Sequence, residues 1–262
     1  MTNQIFMRDR PAGLSAIEEL LRVRGGEPSR TGFDRLFGLS ALRSESRPWF
    51  IGALGEITVG RALAELPDPW VTFHSLPVGE RGSDVDHLVI GPGGVFVINT
   101  KHHRRAKVWV GSRTILVNGR KVPYIRNSEF EAARVGKILA SAELDERAVW
   151  PIIVLLAPAQ VTWKARPENV TVLESRTLIR WLKKQRPVLS EAGIARVATY
   201  VDRPETWTEV ERDATTMERF AELESEVDQA HMRRNLWAAA FAIACGLGFW
   251  VIASGIAGAA VH

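Results

Sequence analysis

The sequence predicts an α/β fold, with a mixed central β-sheet between helices and one transmembrane helix at the C-terminal end. Apolar residues at helical spacing alternate with short runs rich in β-branched residues, which is the pattern of an α/β domain. Trp150 to Ala157 is almost entirely apolar, as expected for a strand that is covered on both faces. Leu236 to Val261 is an uncharged stretch of 26 residues, and roughly 20 apolar residues suffice for a helix to cross a bilayer.

Composition sets the broad class of the protein. The chain has 262 residues and an ordinary globular composition, so it has room for one well-buried domain with extensions, or for two small domains. Its single cysteine, Cys245, excludes a disulfide within the chain and a zinc site built from several thiolates. A formal net charge of +4 and an isoelectric point near 9.5 favour an anionic partner.

Turn signals and periodicity divide the chain into helices and strands. Pro67 and Pro69 end the first long helix, and Pro92-Gly93-Gly94 and Asn118-Gly119 are hairpin turns between strands. Asn127 is the expected cap of the helix that follows these hairpins. The predicted helices span 14–23, 50–66, 127–143, 176–184 and 191–200, and the predicted strands span 70–78, 84–91, 95–101, 106–110, 114–117, 121–125, 150–157 and 170–173.

These elements predict four segments. Arg233 and Arg234 precede the apolar stretch, so the positive-inside tendency places the N-terminal domain of this single-pass membrane protein in the cytoplasm. Two copies can pair into a homodimer through the stalk, or through small residues at four-residue spacing in the transmembrane helix. The alternative is a membrane anchor that has no partner. The segments are an Arg-rich N-terminal extension at 1–48, the α/β domain at 49–202 with its motif core at 49–140, a charged helical juxtamembrane stalk at 203–235, and the transmembrane helix at 236–261.

Three short motifs bring polar residues to the start or the end of predicted elements. Gly52-Ala53-Leu54-Gly55-Glu56 places a carboxylate within a helix, and Gly82-Ser83-Asp84-Val85-Asp86-His87 opens an apolar strand with two acids. Val97-Ile98-Asn99-Thr100-Lys101 ends the next strand, and strand alternation puts Asn99 and Lys101 on one face. The hairpin turn between the two strands brings Asp86 close to them.

Taken together and in this order, the motifs resemble the nuclease-related domain family, NERD, over about Trp49 to Ala140. The resemblance implies a PD-(D/E)xK (restriction-endonuclease-like) fold, in which Glu56 is the helix acid, Asp86 the strand acid and Asn99-x-Lys101 the acidic-x-lysine element. It implies catalysis by Glu56, Asp86, Asn99 and Lys101, with Mg²⁺, or Mn²⁺ as a substitute, held by Glu56, Asp86 and Asn99. Carboxylates hold such hard cations through oxygen, and a lysine can offset charge that builds on a phosphate.

The sequence departs from the family pattern at two positions. Asn99 stands where the family usually has Glu or Asp, and an amide oxygen ligates a metal without bringing a negative charge. Asp84 supplies the negative charge that Asn99 lacks if it lies one pleat from Asp86 on the same face of the strand. Otherwise Asp84 is a cap at the start of the strand. Glu131 stands about where relatives often carry Gln.

A basic, acid-free interval surrounds these motifs. The chain has no acidic residue between Asp86 and Glu129, and Trp109 and Tyr124 are interleaved with the basic residues. This pattern favours a nucleic-acid backbone, DNA rather than RNA, over anionic lipid or a solvated hairpin face. The expected contact residues are Lys101, Arg104, Arg105, Lys107, Arg113, Arg120, Lys121 and Arg126.

Three functional hypotheses follow from the sequence. The first is a membrane-tethered, metal-dependent nuclease that hydrolyses a phosphodiester. The second is a catalytically weak or inactive nucleic-acid-binding module of the same fold. The third is a membrane-associated interaction or signalling scaffold, since a fold does not fix a function. His102 and His103 follow Lys101 and point to opposite faces of the strand, so at most one of them can serve the site.

Overall fold

The computed structural model describes residues 6–79, 84–142, 148–208 and 213–259, with side chains up to residue 250. The chain divides into two compact units. One unit comprises the residues up to Leu20 together with Pro48–Asp213, and we call it the α/β unit. The other comprises Leu21–Arg47 and the chain from Ala214 onward. Gly82 and Ser83 of the second motif lie outside the described residues.

The described helices and strands follow the predicted order closely. The predicted strand at 84–91 is confirmed residue by residue, and most other bounds differ by a few positions. The helices are α1 Leu14–Gly25, α2 Gly32–Leu36, α3 Arg47–Leu63, α4 Tyr124–Ala140, α5 Leu178–Lys183, α6 Glu191–Val201 and α7 Thr216–Ala259. The strands are β1 Val71–Pro77, β2 Asp84–Gly91, β3 Gly94–His102, β4 Lys107–Val110, β5 Ile115–Val117, β6 Arg120–Val122, β7 Val149–Leu156, β8 Gln160–Trp163 and β9 Thr171–Glu174.

A five-stranded mixed sheet forms the centre of the α/β unit, in the order β1-β2-β3-β7-β9. β1, β2 and β3 are antiparallel neighbours, whereas β7 pairs in parallel with both β3 and β9. One face packs against α4 and α6, and the other packs against α3 and α5. The prediction of a mixed sheet between helices is therefore confirmed.

A second, four-stranded sheet in the order β6-β5-β4-β8 was not predicted. The sequence predicted one mixed sheet between helices, but β4 pairs in parallel with β8, about 50 residues later in the chain, in a sheet of its own. β8 is short and carries no clean apolar alternation, so local pattern does not reveal it. Val108, Val110 and Ile115 bury the inner face of this small sheet in a core with Ile153 and Leu155 of β7.

The sequence predicted the turn between β5 and β6 correctly but not the start of the helix that follows β6. Asn118 and Gly119 both have positive φ values, of 49° and 80°, and they join β5 to β6 as the two-residue turn predicted. The next helix begins at Tyr124 after Pro123, so the prediction that Asn127 caps it is wrong. Pro123 is the N-cap residue of this helix, and a proline just before a helix removes no hydrogen bond from the helix interior.

The second unit contains α2 and the long α7. Thr31 and Asp34 form a capping box at the start of α2, and Glu226 of α7 pairs with Arg24 and Arg30. Within the part of the chain that the structure describes, no helix combines the length and the apolar character needed to cross a bilayer. The transmembrane helix predicted at 236–261 is therefore not supported, and its last two residues lie outside the described ones.

Candidate active site

The candidate site lies where β2 begins and β3 ends, in the middle of the central sheet. Asp86 accepts a hydrogen bond from the backbone N–H of Thr100 at 2.6 Å, so the strand acid is fixed directly beside the Asn99-x-Lys101 element. Asp86 lies in β2 opposite Ser75 of β1, which has a φ of +50° and stands between the pairs Leu76–Val85 and His74–His87.

Helix α3 delivers Glu56 to the same place through a close approach at Gly55. A Cβ built on Gly55 would lie only 2.9 Å from Cβ of His102, so the helix can come this near to β3 only with glycine at that position. The ring Nδ1 of His102 lies 3.0 Å from the carbonyl oxygen of Ile51 and ties the end of β3 to the helix. Gly55 of the Gly-x-x-Gly-Glu motif therefore determines how near α3, which carries Glu56, comes to β3.

Electrostatics show that the acids and the lysine share one cluster. Burial raises the pKa of Glu56 well above its ordinary range, the charge of Asp86 raises it further, and Lys101 opposes both. Burial also raises the pKa of Asp86, against Lys101 and the Thr100 N–H, which lower it. The charge of Asp84 raises the pKa of both acids, so Asp84 belongs to the same neighbourhood.

Glu131 is a member of this cluster that the motifs did not assign to the site. Its carboxylate accepts a hydrogen bond of 2.7 Å from Nδ2 of Asn99, which joins α4 to β3. Burial raises the pKa of Glu131 to about 7, the hydrogen bond from Asn99 lowers it, and Asp86 and Lys101 act on it as charges. At the strand position where the resembled family usually has a carboxylate, this chain has the amide of Asn99, and the facing helix supplies the carboxylate of Glu131.

Besides acting on the acids, Lys101 contacts Tyr124, which pairs with His103. Its Nζ lies 5.3 Å from the ring centroid of Tyr124, a cation–π distance. The Tyr124 hydroxyl lies 3.0 Å from Nε2 of His103, and the two rings stack. Burial lowers the pKa of His103, and the Lys101 charge lowers it further. His102 is held by the Ile51 carbonyl, so His103 is the histidine on the Lys101 side.

The donor set suits a hard cation because it consists of oxygen atoms. Asn99 is 5 % exposed, and its Oδ1 is buried without a hydrogen-bond partner while its Nδ2 is taken by Glu131. Glu56 and Asp86 are only half-buried and remain reachable from solvent. Among the described residues, no group of three or more His, Cys, Asp and Glu side chains could hold a metal ion. The oxygen atoms that Glu56, Asp86 and Asn99 offer are nevertheless of the chemical kind that Mg²⁺ prefers.

The predicted contact residues cover the small sheet and its connections. Lys101 alone is half-buried and belongs to the acid cluster, whereas the other seven are exposed. Arg104 and Arg105 lie in the turn between β3 and β4, and Arg113 lies between β4 and β5. Lys107, Arg120 and Lys121 lie on β4 and β6, and Arg126 lies in the first turn of α4.

Gly55→Ala tests whether the close approach of α3 positions Glu56. If the cluster hydrolyses phosphodiesters, the cleavage rate of Gly55→Ala should be at least about tenfold lower than that of the wild-type chain, because a small displacement of a catalytic group costs much of its effect. Gly52→Ala is the matched control, since a Cβ there meets no atom within 4 Å. It should keep full activity and melt at the same or a slightly higher temperature. Equal activity of the two variants would show that the approach at Gly55 does not matter.

Comparison with known proteins adds one finding. No curated protein and no solved structure matches the chain. A family model does match, over residues 51–156, which span α3 to β7 and include Glu56, Asp86, Asn99, Lys101 and Glu131. That family is NERD, the nuclease-related domain, and residues 51–156 of this chain are similar to it.

Proposed function

We propose that this chain is a metal-dependent nuclease of PD-(D/E)xK type, which hydrolyses phosphodiester bonds of nucleic acid. The observation that carries the proposal is the cluster itself. Asp86 on β2 and Lys101 on β3 are close enough to Glu56 on α3 to act on its pKa, and Lys101 also acts on the pKa of Asp86. Asn99, with its unpaired side-chain oxygen, lies two residues before Lys101 on β3. Titratable groups perturbed together in a solvent-accessible site are typical of a catalytic centre.

Each residue of the cluster has a role in this proposal. Glu56, Asp86 and the amide oxygen of Asn99 would hold Mg²⁺ or Mn²⁺, which supplies Lewis-acid polarisation of the phosphate and lowers the pKa of bound water. Lys101 places a positive charge where the phosphate gains negative charge. Tyr124 contacts the Lys101 ammonium through its ring and limits the directions that this side chain can take. Glu131 holds the Asn99 side chain so that Oδ1, and not Nδ2, faces away from α4.

The amide at residue 99, in place of a carboxylate, determines how much metal the proposed site should need. A site with two carboxylates and one amide has less negative charge than one with three carboxylates, so it should need more Mg²⁺. Glu131 supplies a further carboxylate to the neighbourhood without replacing a direct ligand at residue 99. A catalytically weak module that binds nucleic acid is the second candidate, and Asn99 is the observation that favours it.

Metal removal is the direct test of the proposal. The full chain is incubated with linear DNA, circular DNA and RNA in the presence of Mg²⁺, Mn²⁺ or a chelator. We expect cleavage with either metal and none with chelator, with DNA as the preferred substrate. Salt-sensitive binding without cleavage under any metal would favour the binding module, because phosphate contacts weaken as salt rises. Neither binding nor cleavage would favour the interaction scaffold.

Membrane tethering through residues 236–261 and a cytoplasmic α/β domain complete the proposal. The support is that large apolar side chains in this part of α7, among them Phe241, Phe249 and Trp250, are exposed, at 72 %, 75 % and 68 %. Such a surface is covered in a stable protein by lipid or by another chain, and pairing of two copies would cover part of it. Partition of the full chain with cell membranes, and its release on truncation after residue 235, is the measurement.

A further inference from the structure

The small sheet has a solvent-facing side that the core does not use. Because strand residues alternate, the neighbours of the buried Val108, Val110 and Ile115 point outward. Lys121, Leu116, Trp109 and Thr162 are direct partners across β6, β5, β4 and β8 and form one row. Lys107 and Gln160 form the next row on the same side. These six residues, hereafter the outer face, span about 14 Å at the usual strand spacing.

Trp109 lies at the centre of the outer face with its ring along the strand. A Cβ built on Gly111 would lie 2.6 Å from the Cη2 atom of Trp109, so the indole extends toward Gly111, directly after its own strand. The absence of a side chain at Gly111 leaves room for the indole in this position. Trp109 is half-buried, so part of it remains accessible to solvent.

The charge around Trp109 has one sign. None of the four strands of the small sheet contains an acidic residue, and Lys107 and Lys121 are exposed on the same side of the sheet as Trp109. Lys164 and Arg166, both exposed, directly follow β8. An aromatic ring flanked by lysines complements a chain of bases linked by phosphates better than it complements a lipid surface, which has no flat rings to stack.

We propose that the outer face is a stacking platform for unpaired bases, so that the nucleic acid taken by this protein is single-stranded or has a single-stranded segment. The inference rests on the proposed function and names its substrate class. A base can stack on Trp109 only when it is unpaired and turned out of a duplex, because paired bases are covered above and below by their neighbours. Lys107 and Lys121 would then contact the phosphates on both sides of the stacked base.

The test compares a normal oligonucleotide with one that has no bases. Binding of the full chain to a labelled 20-nucleotide single strand and to an abasic strand of equal length is measured by fluorescence anisotropy, with chelator present to prevent cleavage. Trp109→Ala should weaken binding of the normal strand roughly tenfold and leave the abasic strand unchanged. Trp109→Phe should retain most of the affinity, and Lys121→Ala should weaken both strands. Trp163→Ala is the control, because Trp163 is 44 % exposed but alternates to the other side of β8.

Each alternative outcome identifies which inference fails. If Trp109→Ala weakens both strands equally, or Trp163→Ala has the same effect as Trp109→Ala, the stacking platform is wrong. If the wild-type chain prefers a duplex and Trp109→Ala changes nothing, the platform is wrong and the nuclease proposal stands. If the wild-type chain binds no nucleic acid but binds anionic vesicles, and Trp109→Ala removes that binding, both proposals fail and the outer face is a lipid surface.

Discussion

Asp86→Asn is expected to remove metal-dependent cleavage, by about a hundredfold or more, while nucleic-acid binding changes little. The substitution keeps the shape of the side chain and removes the negative charge of a carboxylate that would hold the cation. Asp86 is also the acceptor for the Thr100 N–H, and an amide oxygen can keep that hydrogen bond. The strand geometry should therefore survive, which separates loss of chemistry from loss of structure. Cleavage rate and binding affinity are measured on the same preparation.

Glu65→Gln is the charge-matched control for this experiment. Glu65 is an exposed acid shortly after the end of α3 and has no place in the cluster. It should cleave at the wild-type rate. Lys101→Ala provides the complementary test, because it should abolish cleavage by an enzyme but only weaken binding by a module without catalysis. Full cleavage by Asp86→Asn would contradict the proposed site, whatever the outcome for Lys101.

Asn99→Asp is expected to have the largest effect on stability. Asn99→Asp alone would place two carboxylates at the 2.7 Å distance now taken by the Asn99–Glu131 hydrogen bond. We expect the free energy of unfolding at pH 8 to fall by about 2 kcal/mol or more, because a donor is lost and like charges oppose each other in a half-buried site. The double variant Asn99→Asp/Glu131→Gln again has one amide donor and one carboxylate, with the carboxylate at residue 99 and the amide at residue 131. It should recover most of the stability.

The same cycle reports on metal binding. The double variant moves the carboxylate from α4 to the strand position next to Asp86 and Lys101. Under the proposed function it should reach half-maximal cleavage at a lower Mg²⁺ concentration than the wild-type chain, because a charged oxygen replaces a neutral one at residue 99. If the double variant is as unstable as Asn99→Asp, the hydrogen bond between residues 99 and 131 does not exist in solution. If stability recovers but the Mg²⁺ requirement does not change, residue 99 is not a ligand.

Glu131→Gln supplies the pH dependence of this cycle. The folded-state pKa of Glu131, about 7, is higher than the ordinary value of 4.5 expected in the unfolded chain. The folded chain therefore keeps a proton that the unfolded chain loses, and this contribution to stability is complete below about pH 4.5 and is lost as the pH rises through 7. We therefore compare the melting temperature of Glu131→Gln with that of the wild-type chain at two pH values. The difference, variant minus wild type, should be about 2–4 °C larger at pH 8 than at pH 5. A shift of equal size at both pH values would contradict a raised pKa.

Local pattern alone determined the elements that carry the chemistry. The apolar run of β7, the hairpin turn at Asn118-Gly119 and the acid-opened strand β2 are all readable from sequence, because burial and turn geometry act over a few residues. The order of the Gly55-Glu56, Asp86 and Asn99-x-Lys101 motifs also sufficed to indicate the family whose model matches residues 51–156.

Tertiary structure alone decided how distant residues meet. The parallel pairing of β4 with β8 creates the small sheet and its outer face, and pairing over about 50 residues leaves no local periodic signal. The bond between Asn99 and Glu131 depends on the packing of α4 on β3, which spacing along the chain does not specify. The close approach at Gly55 depends on His102 in the same way. Sequence thus determined which residue types are present and on which elements, and the packing of helices on the sheet determined which of them share a site.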